Sequence, residues 1–82
     1  MDDTVFVAKN AKGYSMCAGD SFDDLYDIIK GHAWHMVDDV GFYKDVKLER
    51  DDPYVFLTFI KDDKTEEFEY YYMYRLKKGR MN

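Results

Sequence analysis

Cysteine is nearly absent from this chain of 82 residues: Cys17 stands alone. An intramolecular disulfide is therefore excluded, as is a zinc site built on cysteines, and a reducing compartment is expected. Long apolar runs are missing too. Nothing approaches the roughly 20 residues that a membrane-spanning helix requires. The opening MDDTVFVAKN has neither the basic start nor the apolar stretch of a secretory signal. These absences predict a soluble, cytoplasmic protein with no membrane role.

Chemistry-bearing motifs are scarce. The glycines at 13, 19, 31, 41 and 79 form neither a P-loop nor a dinucleotide fingerprint. Thr4, Ser15 and Ser21 lie outside any nucleophile-elbow context. Seventeen acids can be paired in too many ways to single out a catalytic couple. Cys17 has no signature of a Cys–His dyad, and a small buried strand residue accounts for it. His32, His35 and Asp39 would share one side of a continuous helix, but they supply at most three metal ligands and Gly31 threatens that helix, so structural or surface histidines account for them better. No enzyme, metal or cofactor is expected.

What the chain has in abundance is aromatic surface and localised acid. Eight Tyr, six Phe and one Trp make up 18% of the residues, more than one small core obviously needs, and such rings also dominate protein interfaces. Residues 20–39 hold Asp20, Asp23, Asp24, Asp27, Asp38 and Asp39 against Lys30 alone. That window carries the whole formal charge of −5, because the remaining acids and bases balance.

The length allows one domain. Residues 4–9 and 14–18 read as strands joined by the polar loop Asn10-Ala11-Lys12-Gly13. Ser21 and Asp24 resemble a capping box, with Asp23 and Asp24 in a first turn where the helix dipole favours acids. Phe22, Leu25, Tyr26, Ile29, Ala33, Met36 and Val37 recur at helical spacing, predicting a helix over 21–30 that continues towards Val37, with Gly31 as its weak point. Residues 42–50, 54–61 and 66–77 read as a three-stranded meander. The fold expected is α+β: an antiparallel sheet of about five strands with one helix packed on it, in the order ββαβββ.

One helix can cover only one face of such a sheet. A two- or four-residue loop in the last hairpin sets Phe59 opposite Phe68, Leu57 opposite Tyr70 and Val55 opposite Tyr72. Those residues then form the core, and Tyr54, Phe56, Tyr71 and Met73 form an aromatic patch on the other face. A three-residue bulged loop would shift this register.

The function expected is stoichiometric binding of another protein that has a basic surface. The acidic window would occlude a nucleic-acid-binding site, as a phage or mobile-element inhibitor of a host nuclease or polymerase would do. Tyr54, Phe56, Tyr71 and Met73 would be its anchors. A solvated helix face accounts for the same aspartates without a partner. Two alternatives stand beside this reading. One is a self-associating domain, with a homodimer through the aromatic face. The other is a single-stranded nucleic-acid binder that uses strand aromatics with Arg75, Lys77, Lys78 and Arg80. The acidic balance, with a sequence pI near 4.8, argues against direct nucleic-acid binding.

Overall fold

β-Branched and aromatic runs, separated by polar turns, organise the chain into five strands and one helix. The computed structural model describes residues 4–77. In chain order the elements are β1 (Thr4–Asn10), β2 (Ser15–Gly19), α1 (Phe22–Asp38), β3 (Asp45–Asp51), β4 (Tyr54–Ile60) and β5 (Glu66–Lys77). The strands form one antiparallel sheet in the order β2-β1-β5-β4-β3, so the last strand in sequence is the central one in space. β1 pairs with Tyr71–Lys77 of β5 and β4 with Glu66–Tyr72, so only Tyr71 and Tyr72 are flanked on both sides. Lys78 and Arg80, counted above in a basic C-terminal stretch, lie outside the described residues.

The helix runs unbroken from one edge strand towards the other. Ser21 caps it: its Oγ accepts the Asp24 N–H at 3.1 Å, while Asp24 Oδ2 accepts the Asp20 N–H at 3.0 Å. This is the capping box with its shorter acid reaching one residue further back. Close packing of the β2–α1 corner also explains Gly19, where a Cβ would come within 3.0 Å of Asp24 Cβ. Gly31 does not end the helix, and a Cβ there would meet nothing within 4 Å. Gly31→Ala is therefore expected to stabilise the domain by about 1 kcal/mol, read as a raised denaturation midpoint with an unchanged slope.

One face of α1 buries Leu25, Ile29 and Ala33 against Ala8, Val46, Val55, Leu57, Phe59, Tyr71 and Met73. Arg50 ties the start of the helix to the end of β3. Its Nη1 contacts Asp23 Oδ1 at 2.7 Å, its Nε contacts Asp52 Oδ1 at 2.7 Å, and the guanidinium lies 5.4 Å from the Tyr26 ring centre. Hydrogen bonding from Arg50 holds the Asp52 carboxyl below its ordinary value of 3.8. The resulting stabilisation is complete above that pH and is lost as pH falls through the lowered value.

The last hairpin corrects the expected register. Val55 faces Tyr71, Phe56 faces Tyr70, and Tyr54 faces Tyr72. The cause is a three-residue loop, Asp62-Asp63-Lys64. Lys64 N–H donates to the Lys61 carbonyl at 2.9 Å, Lys61 N–H donates to the Thr65 carbonyl at 2.9 Å, and Lys64 adopts φ 70°. This turn followed by a left-handed residue moves β5 by one position against β4. Tyr71 and Met73 therefore belong to the core, at 6% and 0% exposure, and are not part of an outer patch. A left-handed conformation disfavours side chains with a Cβ. Lys64→Gly is accordingly expected to raise stability by about 1 kcal/mol in a chemical-denaturation comparison.

Candidate binding faces

With this register, alternation assigns the face turned away from α1. Val5, Val7 and Lys9 of β1 occupy it with Phe68, Tyr70, Tyr72 and Tyr74 of β5 and Tyr54 and Phe56 of β4. No other element among the described residues packs across it. Its rings form one connected group. Tyr54 stacks on Phe56 (5.7 Å, 16°) and Tyr72 on Tyr74 (5.8 Å, 16°), while Tyr54 meets Tyr72 at 5.4 Å and Tyr70 at 6.2 Å. Phe68 extends the group and is 74% exposed; Tyr54, Phe56 and Tyr70 are about 40% exposed. Of the expected anchors, Tyr54 and Phe56 lie on this face, whereas Tyr71 and Met73 do not. Tyr70 and Tyr72 take those places. The alternation rule that exchanged the two pairs would have found them, had the loop length been known.

The six aspartates do not form one free surface. Asp23 is held by Arg50, Asp24 is spent on the helix cap, and Asp39 Oδ2 lies 2.7 Å from His35 Nδ1. Asp20, Asp27 and Asp38 are exposed and join no ion pair among the described residues. All six lie on or beside the helix, so the sheet separates them from the exposed rings. Ring patch and acidic helix were expected on opposite sides of the sheet, and the fold keeps them apart in that way.

The residues weighed for chemistry are also placed. Burial pushes the Cys17 thiol up, against a smaller opposing effect from a backbone hydrogen bond with Ala8. Such a thiol is a poor nucleophile at neutral pH. Cys17 and His32 both border a narrow cleft of about 90 Å³ between β2 and α1, together with Met16 and Ile28. Among the described residues, no three His, Cys, Asp or Glu side chains are gathered as metal ligands. No helix among them is long and apolar enough to cross a membrane.

Sequence reasoning missed Tyr43, placed just before β3. Its ring stacks on Phe59 at 4.4 Å and its hydroxyl donates to Glu67 Oε2 at 3.1 Å. Phe42, expected at the start of the strand over 42–50, instead stands before β3 and is 60% exposed. No family model, no curated protein and no solved structure matches this chain.

Proposed function

We propose that this chain is a non-enzymatic protein-binding module that captures its partner on the open aromatic face of the sheet. One observation carries the reading: six rings, Tyr54, Phe56, Phe68, Tyr70, Tyr72 and Tyr74, share a face that no element among the described residues covers. Rings of this kind bring large contact area with little side-chain entropy to lose. Contiguous exposed apolar surface of this sort marks interaction sites on soluble proteins.

The helix side contributes charge. Asp20, Asp27 and Asp38 give it a negative field that favours a partner with a basic surface and speeds encounter. Because these acids sit behind the sheet, they act during approach, while the rings hold what has bound. Occlusion of a basic nucleic-acid-binding surface, and hence inhibition, is a task for the helix side, where three of the six aspartates already have intramolecular partners.

Capture from lysate separates the two roles when three forms are compared: the unaltered chain, Phe56→Ala/Tyr70→Ala, and Asp20→Asn/Asp27→Asn/Asp38→Asn. The ring variant is expected to lose the partner at every salt concentration. The asparagine variant is expected to keep it but associate more slowly. A ring variant that still captures the same protein would end this reading.

A further inference from the structure

We infer that the hollow at one end of the open face is a nucleotide site, which takes a planar base between Tyr70 and Tyr72 and its phosphate on Lys9 and Lys12. The hollow measures about 410 Å³ and is lined by Lys9, Asn10, Lys12, Tyr54, Tyr70 and Tyr72 with the tip of the β1–β2 loop. That volume falls within the range of about 300–1,000 Å³ typical of small-molecule sites. The site is independent of the protein-binding reading, although it shares Tyr54, Tyr70 and Tyr72 with that face.

Charge is the first reason. On a chain of net charge −5, the lining contains two ammonium groups and no carboxylate. The nearest acid by register is Asp51, opposite Tyr54 on β3, and it lies outside the lining. Neither lysine joins an ion pair among the described residues. Lys9 Nζ rests 5.7 and 5.5 Å from the ring centres of Tyr72 and Tyr74.

Ring spacing is the second. Alternate residues of a strand stand about 6.6 Å apart, close to twice the ~3.4 Å repeat of stacked bases. Elsewhere on this face such pairs are closed, Tyr54 on Phe56 and Tyr72 on Tyr74. Tyr70 and Tyr72 are instead linked through Tyr54 on the neighbouring strand, which meets them at 66° and 49°. The strand repeat alone would give room for one flat ring between them.

The third reason is a preformed loop. Asn10 Oδ1 accepts the N–H groups of Lys12 and Tyr14, each at 3.0 Å. Gly13, at φ 90°, donates its N–H to the Asn10 carbonyl at 2.9 Å. Lys12 is thus carried on an ordered turn, and little loop entropy remains to be lost on binding. An acidic peptide would satisfy the lysines but brings no obligatory plane to lie between Tyr70 and Tyr72. A base with its phosphate satisfies both.

The test uses the intact chain, isotope-labelled and titrated with adenosine monophosphate and separately with ribose 5-phosphate, alongside anisotropy with a fluorescein-labelled decathymidylate. Adenosine monophosphate is expected to shift the amide signals of Lys9, Lys12, Tyr54, Tyr70 and Tyr72, and ribose 5-phosphate to bind far more weakly. Tyr72→Ala should weaken nucleotide binding about five- to hundredfold. Lys12→Glu, on an exposed loop, should weaken it without touching the fold. Binding of the decathymidylate should follow salt with a logarithmic slope no steeper than about −1.4, as two phosphate contacts allow. A decathymidylate that binds much more tightly than the mononucleotide identifies the source as single-stranded nucleic acid; equal affinity identifies a free nucleotide. Ribose 5-phosphate binding as well as adenosine monophosphate, polyglutamate displacing the nucleotide at equal charge, or no shifts around the hollow at millimolar nucleotide would each overturn the site.

Discussion

Met73→Ala is expected to destabilise the domain by about 2–5 kcal/mol, the usual range for emptying a buried methionine site. Met73 is completely buried and lies in the cluster formed by Ala8, Leu25, Ile29, Val55 and Leu57. It sits on the one strand that every other part of the sheet leans on, and Ala8 faces it directly across the β1–β5 ladder. Truncation leaves a void that a small neighbour such as Ala8 cannot fill. A domain of this length has roughly 4–12 kcal/mol of stability in all, so the variant loses a large share of it. Each kcal/mol corresponds to about 4–8 °C in melting temperature at this size. Calorimetry or a denaturant titration checks the outcome. A melting temperature within a few degrees of the parent would restore the discarded register, in which Met73 faces outwards.

The second large effect concerns affinity. Phe56→Ala/Tyr70→Ala is expected to weaken partner binding by at least about a hundredfold, because central aromatic anchors commonly cost 2 kcal/mol or more each when truncated. The two rings are cross-strand partners on the open face. Their loss removes a surface pair that contributes about 0.2–1 kcal/mol to folding. Affinity and stability thus separate, which they do not for a core position. A titration of the captured partner against both forms, paired with thermal melts, measures the two quantities. Equal affinities would remove the rings from the interface. A melting temperature that collapses with affinity would show instead that these rings hold the sheet together.

Element order was legible because each element announces itself locally. β5 was expected at 66–77 and spans Glu66–Lys77, and the α1 periodicity carried across Gly31 to Asp38. Apolar spacing of three and four is informative on a helix whose other face is polar, as Asp23, Asp27 and Lys30 make it here. The β5 register was not legible for the opposite reason. In EEFEYYYMYRLK both alternating sets are aromatic or apolar near the centre, so periodicity could not decide which set faces inwards. The decision fell to Lys64, a residue whose type gives no sign of a left-handed turn. Half the outer patch was misassigned through that one position, while Tyr54 and Phe56, whose parity follows from β4 alone, were read correctly. The aspartate window was visible as charge, but its internal uses were not. Arg50 is 27 residues away from Asp23 in sequence, and only the fold brings them together.

The place of β5 at the centre of the sheet decides which pairing closes it. The β1–β2 and β3–β4 hairpins both precede β5 in the chain, yet neither borders the other; each pairs with β5. Thr4 pairs with Lys77, so the pairing that closes the sheet spans the whole described chain. Closure of so long a loop is slow compared with local helix or hairpin formation. Without Glu66–Lys77, the β1–β2 and β3–β4 hairpins would have no strand to join them into one sheet.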